Sequence, residues 1–306
     1  MKGSKIVEKA DIAVSNLISD GGYLNPEQSD RFIQMLQDQP TILRAVRTVR
    51  MNAPQRKIEK IGFGSRILRA APASGTALAA GDRSAPTTDM VTLTTKEVIA
   101  QVNLPYDVLE DNIERGNLNS TIMSMMAERV ALDSEEWLLL ADTGSGDAFL
   151  ALADGAIVSA TDHVIDETAA PVAVTKGIFK EGIKALPNKY QRVRNQLRFM
   201  VSPDVATEWI DEFADRETAE GDAKMKGGGI NPAYGVPLMI SALMPNNTYL
   251  LTFPQNMIWG VQRQIMVETD KDIETRVYKI VLTMRMDFAY EETDAVVKFI
   301  GINPDA

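Results

Sequence analysis

The sequence predicts an elongated α+β subunit, and three observations carry that expectation. Tyr278, Ile280, Leu282, Met284, Met286, Phe288 and Tyr290 alternate with their neighbours in the period-2 pattern of a strand about thirteen residues long, where five or six is usual. From Leu118 to Ala141, apolar residues return at helical spacing (Leu118, Ile122, Met125, Met126, Val130 and Trp137), which predicts the longest helix of the chain. Between residues 56 and 96, two strand-like limbs flank a run of small residues that cannot pack a core. A long strand, a long helix and a long hairpin together describe an extended molecule.

Residues 1–50 read as an N-terminal arm. Ile6, Val7, Ala10, Ala13, Val14, Leu17 and Ile18 predict a helix that Gly21 and Gly22 stop. Asn25 then fits an N-cap, with Pro26 at the first helical position and Glu27 in the first turn, and the run through Phe32, Ile33, Met35 and Leu36 ends at Pro40. Two such short helices bury little by themselves, so the arm is expected to finish its packing on something else.

Residues 51–103 read as an extended hairpin and its base. Basic residues alternate with Ile58, Ile61, Phe63 and Ile67 on the outgoing limb; Ala70 to Pro86, with seven alanines, two glycines and two prolines, makes a flexible tip; Thr87 to Asn103 returns as strand. Isolated hairpins are marginal in water, so this one also wants a neighbour.

Residues 104–144 begin a peripheral domain. Pro105 opens a short helix that Gly116 closes, Asn117 or Asn119 caps the long spine helix, and Glu128, Asp133, Glu135 and Glu136 are expected on its outer face. Residues 145–255 read as a mixed α/β domain: a helix near Lys176 to Leu186 stopped by Pro187, a strand at Leu197 to Val201, a helix capped by Ser202 with Pro203 first, a glycine-rich loop at 221–235, and strands near Leu238 and Tyr249 to Thr252. Residues 256–306 return to the peripheral domain with a strand from Ile258 to Val267 and the long strand, for which Ala295 to Ile302 is expected as partner.

Composition removes many functions. Of 306 residues none is cysteine and one is histidine, which takes away disulfides, thiolate nucleophiles, Cys/His zinc sites and iron-sulfur clusters. No stretch approaches a membrane span, and the N-terminus lacks the apolar core of a signal peptide, so cytosolic assembly is expected. The net charge of -10 hides an asymmetry: residues 1–100 carry 14 Lys+Arg against 10 Asp+Glu, and residues 101–306 carry 18 against 32. Between Pro40 and Ala70 stand Arg44, Arg47, Arg50, Arg56, Lys57, Lys60, Arg66 and Arg69 against the single acid Glu59. Opposite signs in two parts of one chain suit a basic arm and hairpin lying on an acidic neighbouring copy, with Glu128, Asp133, Glu135 and Glu136 as the candidate acids. Nucleic-acid binding is the rival reading, and the acidic remainder counts against it.

Few motifs point to chemistry. Asp142-Thr143-Gly144 matches the aspartic-protease triplet, but the chain has no second copy, so a shared-proton dyad would need a homodimer, and here a helix rather than a strand runs into the motif. His163 stands in a polar stretch and reads as a solvated loop residue. Gly62, Gly64, Gly75, Gly81 and Gly227 to Gly229 fit no phosphate-binding pattern. Asp142, Asp147 and Asp154 could approach a hard cation but read better as loop acids. No catalytic, cofactor or metal site is expected.

The order of parts resembles the major capsid protein of tailed bacteriophages. The residues that carry this are Gly22-Tyr23-Leu24-Asn25-Pro26-Glu27-Gln28, then Ala131-Leu132-Asp133-Ser134-Glu135-Glu136-Trp137-Leu138 running to Gly144-Ser145-Gly146, Phe199-Met200-Val201-Ser202-Pro203, and Tyr234-Gly235-Val236-Pro237-Leu238 with Ser241 and Met244-Pro245. The resemblance implies the Hong Kong phage capsid fold, shared with encapsulins: N-arm, extended hairpin loop over a neighbouring subunit, long spine helix, peripheral β-sheet domain and axial mixed α/β domain. It implies a non-enzymatic protein that forms hexamers and pentamers, an icosahedral shell around double-stranded DNA held by weak non-specific contact, and a place in the virion after assembly in the host cytoplasm. The arm leaves no room for a long scaffolding pro-domain, so the expected partners are a separate scaffolding protein and a portal protein. Some members cross-link subunits through a loop lysine, and this loop has none between Lys60 and Lys96. An encapsulin-type compartment is the alternative within the fold, and the homodimeric protease the alternative outside it.

Overall fold

A computed structural model describes residues 40–62, 66–107, 118–214 and 230–305. The helices expected at 6–18 and 25–36, most of the one expected after Pro105, and most of the 221–235 loop lie outside the described residues. Among the described residues no helix is long and apolar enough to cross a membrane.

Two sheets organise the chain. The first has four strands in the order β1 (Arg47–Arg50), β10 (Met257–Asp272), β11 (Val277–Tyr290) and β4 (Lys96–Pro105). Along β11, Ile280, Leu282, Met284, Met286, Phe288 and Tyr290 are buried while most residues between them are not, so the alternation reads directly as one face on a core. That core is closed by the spine helix α2 (Leu118–Leu140): Trp137, Leu138 and Leu139 join Met284, Met286, Phe288 and Trp259, with Trp137 edge-on to Trp259 at 5.8 Å between ring centres. The expected apolar stripe holds only for the first half of α2. From Leu132 to Leu139 six of eight residues are buried, because the second sheet and α1 (Ile42–Ala45) cover the face opposite the first sheet.

The second sheet runs β5 (His163–Asp166), β12 (Val297–Ile300), β9 (Thr248–Thr252), β7 (Arg198–Val201) and β8 (Leu238–Ile240). Every residue of β9 is buried, since Leu250 faces the α2 core and Tyr249 and Leu251 face two helices on the other side, α4 (Lys176–Ala185) and α6 (Pro203–Ala214). Both helices are capped by a hydroxyl, the second as its sequence predicts: Thr175 accepts from the N–H of Gly177 at 3.2 Å, and Ser202 from that of Val205 at 3.3 Å. Phe179, Phe199, Trp209, Tyr249 and Phe299 interlock between helices and sheet, with ring centres 4.7–5.6 Å apart. Buried polar ends find partners here, Tyr249 donating to the Ile178 carbonyl at 2.7 Å and Trp209 to that of Asn231 at 2.9 Å.

Three expectations about strands are corrected. Residues 295–302 do not pair with the long strand; β12 joins β9 and β5 in the second sheet, because the turn at Thr293–Ala295 redirects the chain and Val297 and Phe299 fill the aromatic core. The limb expected from Thr87 to Asn103 is two strands, β3 (Thr87–Thr94) and β4, split at Thr95. Arg47–Arg50, read as arm, is a strand of the first sheet, parallel to β10.

Candidate assembly surfaces

The hairpin is β2 (Gln55–Gly62) against β3, antiparallel from Gln55↔Thr94 to Gly62↔Thr87, and the register sorts its side chains into two unlike faces. Ile58 and Leu93 lie on the face turned to the body, where Leu93 packs on Met51 and Ile258. Lys60, on the same face, donates to the Glu291 carbonyl and stands 3.3 Å from both the Glu292 and Asp89 carboxylates. Partial burial works against its charge, but the hydrogen bond to Asp89 and the Glu292 charge outweigh it and hold the ammonium above the ordinary lysine pKa. The other face carries Lys57, Glu59, Ile61, Thr88, Met90 and Thr92, all exposed, Ile61 to 72% and Met90 to 53%.

The base of the hairpin is pinned by polar contacts that sequence reading missed. Asp287, buried on β11, accepts the N–H of Thr94 just where β3 ends; Thr95 then donates its N–H to the Pro54 carbonyl at 2.9 Å and its hydroxyl to Gln262 at 3.0 Å. Burial raises the Asp287 carboxyl above its usual range, against the pull of the Thr94 and Phe288 N–H groups and the Lys96 charge. A lone aspartate in an alternating strand carries no spacing signal that could have announced this.

The twelve candidate interface residues separate by partner. Arg47 is taken by Glu291 of its own chain at 2.8 Å, Lys60 by Glu292 and Asp89, and Arg69 more loosely by Asp82 at 3.7 Å. Arg56 donates to the Arg50 carbonyl. Arg44, Arg50, Lys57 and Arg66 are exposed and make no ion pair among the described residues. Of the acids, Glu128 is exposed, Asp133 is paired one turn away with Arg129 at 2.8 Å, and Glu136 is half-buried.

Glu135 departs from the expected outer face altogether. It is 1% exposed, and its carboxylate accepts the N–H groups of Ile42 at 2.9 Å and Leu43 at 3.0 Å and the Ser241 hydroxyl at 2.7 Å. It therefore ties the start of α1, the spine helix and the end of β8 into one junction, and no neighbouring copy can reach it. The covering of α2 on a second side, by α1 and the second sheet, explains the burial.

The loop after α2 carries the remaining candidates. Asp142 accepts the Gly144 N–H at 2.7 Å, Asp154 the Thr143 N–H and hydroxyl at 3.0 and 2.8 Å, and Asp147 the Phe149 N–H at 2.8 Å. Asp142 and Asp147 thus each cap a local turn, and Asp154 ties the far end of the loop back to its start. Gly155 closes the loop against the helix end, where an added Cβ would stand 2.9 Å from the Trp137 and Leu138 carbonyl oxygens. His163 is not a solvated loop residue: it opens β5 and bonds through Nε2 to Asp294 at 3.0 Å, which Lys189 also holds at 2.5 Å. Among the described residues no group of three or more His, Asp or Glu side chains is arranged to hold a metal ion.

One groove, of about 540 Å³, opens between α2, β4, β11 and residues 147–152. Val98, Val130, Phe149 and Met284 supply its apolar lining, and Glu97, Asp133, Glu136 and Asp147 its acids.

Comparison with known proteins agrees with this architecture. The chain is 46% identical to a protein of Bacillus subtilis (strain 168) described as a prophage capsid protein, YqbE, over 99% of both chains. Among solved structures it is similar to the capsid of a native GTA particle (TM-score 0.67, 16% identity, 95% of this chain and 100% of that one). It is also similar to a chain in a structure of Mycobacterium phage Che8 (TM-score 0.64, 14% identity, 90% and 97%). The family described as the phage capsid family matches residues 21–300, and with that span and that relative the chain belongs to the phage capsid family.

Proposed function

We propose that this protein is the major head protein of a tailed phage or prophage, assembling through hexamers and pentamers into an icosahedral shell around double-stranded DNA. The observation that carries this reading is the two-faced hairpin: one face is anchored by Lys60 and Leu93, while the other exposes Ile61 and Met90, with none of the described residues covering them. Apolar side chains held out on a two-stranded ribbon are what an intersubunit contact uses. The division into arm (1–50), extended loop (51–103), peripheral (104–144 and 256–306) and axial (145–255) parts belongs to the same proposal, as do a separate scaffolding protein, a portal protein, loosely held DNA, assembly in the host cytoplasm and residence in the virion.

The reading assigns no catalysis to the chain, and Asp142 serves the turn after the spine helix. Negative-stain microscopy of the expressed chain, alone and with its head-gene partners, tests the whole. Closed shells support the proposal, DNA content distinguishes a head from a cargo compartment, and compact dimers with pepstatin-sensitive proteolysis lost in Asp142→Asn would replace it with an enzyme.

A further inference from the structure

We infer that the four residues joining the two sheets, Glu291-Glu292-Thr293-Asp294, form a coupling clasp, through which a hold taken on the β2–β3 hairpin tightens the outer edge of the second sheet, and the reverse. The inference rests on the proposed shell assembly, in which a contact made at one end of a subunit would then prepare the other.

The segment leaves β11 after Tyr290 and leads into β12 at Val297. Its three carboxylates take basic side chains from four separate elements. On the side of the first sheet, Arg47 of β1 donates to Glu291 at 2.8 Å, while Lys60 of β2 donates to the Glu291 carbonyl and lies 3.3 Å from the Glu292 carboxylate. On the side of the second sheet, Asp294 stands 3.0 Å from Nε2 of His163 on β5 and accepts from Lys189 of α5 (Asn188–Gln191) at 2.5 Å. The hydrogen bond from Lys189, the largest influence, holds the Asp294 carboxyl below its usual range against a slight cost of burial.

Asn256 fixes the middle of the segment. It is 7% exposed, its side-chain amide accepts the Glu292 N–H at 2.8 Å and donates to the Glu292 carbonyl at 2.9 Å, and its own carbonyl accepts the Glu291 N–H at 2.8 Å. A segment this short, pinned at one point, works as a lever, so a shift at Glu292 is carried to Asp294 two residues on.

The elements at its two ends have little else to hold them. Among the described residues β2 pairs only with β3, and β5 is an edge strand of four residues whose one ladder partner is β12. Such elements sit at the low end of local stability, and exposed ion pairs are individually weak. Several on one short segment act together, which gives the clasp two arrangements, engaged on both sides or released on both. Immobilising the hairpin favours the engaged arrangement and orders β5 and α5, and by linkage a hold on β5 does the same for the hairpin.

Hydrogen exchange of the unassembled full-length chain, read by mass spectrometry, tests this. Lys60→Met keeps the apolar stem and removes the ammonium. It is expected to speed exchange at 55–62 and 87–94 and, through the clasp, by about five-fold or more at 163–166 and 188–191. Lys189→Met, at an exposed position, is expected to act in the opposite direction, from 188–191 to the hairpin. Lys279→Met, which breaks the 2.7 Å pair with Asp272 elsewhere on β11, is expected to change neither region. The double variant of Lys60 and Lys189 is expected to exchange little faster than either single one, because the first release has already opened the clasp. Fully additive effects, or a Lys60→Met effect confined to the hairpin, would overturn the coupling and leave the shell proposal standing. Absence of shells from the unsubstituted protein would instead overturn the shell proposal. Should a variant fail to fold, salt decides in the unsubstituted chain: raising NaCl from about 0.05 M to about 1 M cuts the Debye length to about 3 Å and is expected to speed exchange at the hairpin and at β5 together, with β9 unchanged. A rise at the hairpin alone would sink the inference.

Discussion

The helix-backed second sheet and the β2–β3 hairpin are both made of strong strand formers, yet they solve the burial problem in opposite ways. Tyr249, Phe299, Phe199, Phe179 and Trp209 bury one another completely within a single chain. The hairpin owns a core of Met51, Leu93 and Ile258, and leaves Ile61, Ile67, Leu68 and Met90 in water. The difference is one of layers: a sheet with helices on one side and a second core on the other closes itself, whereas a two-stranded ribbon has two faces and only one body to lie on. Substitutions in the first region are therefore expected to cost folding, and those on the outer face of the second to cost association.

The sharpest test of the closed region is Phe179→Ala. It removes the ring that touches Phe199, Trp209 and Tyr249, and a loss of about 3–5 kcal/mol in unfolding free energy is expected by denaturant titration of the unassembled chain. A loss below about 1 kcal/mol would mean the cluster repacks and is not the rigid half of the comparison.

The seam between the regions comes next. Glu135→Ala strips acceptors from two backbone N–H groups and one hydroxyl in a buried junction, and is expected to cost about 3 kcal/mol, with Glu135→Gln costing less because an amide oxygen still accepts. The same titration measures it, and hydrogen exchange at Ile42 and Leu43 should rise in the alanine variant before that of β9.

A smaller, pH-dependent effect is expected at Asp287. Its folded pKa is raised above the unfolded value, so its contribution to stability is fully present below the unfolded pKa and is lost as pH rises through the folded one. Asp287→Asn keeps an acceptor for Thr94 without a charge, so it should flatten stability against pH from just below 4 upward and cost less than about 1 kcal/mol at neutral pH. An unchanged pH profile would remove Asp287 from the account of the hairpin base.

The smallest effect on folding should come from Ile61→Ser with Met90→Ser, within about 0.5 kcal/mol of the parent chain, since both side chains are solvated in the single subunit. Sedimentation should nevertheless show assembly weakened. If assembly is untouched, the outer face is idle and the contrast between the two regions is merely one of exposure.

Much of this architecture was legible before any coordinates. The thirteen-residue alternation, the spine helix, the Ser202 start, the Ala/Gly tip and the basic excess are local patterns, set by the geometry of a single strand, helix or cap, and a local pattern needs no knowledge of what lies opposite. Tertiary structure alone decided that Glu135 is buried while Glu136 beside it lines a groove, that Lys60 and Arg47 are taken by Glu292 and Glu291 more than two hundred residues away, and that residues 297–300 cross to the second sheet instead of flanking β11. The physical reason is that pairing and burial are properties of the facing element. A strand exposes the same edge to any partner, and a charge on a helix takes its role from whichever layer covers it, so these choices appear only once both surfaces are in place.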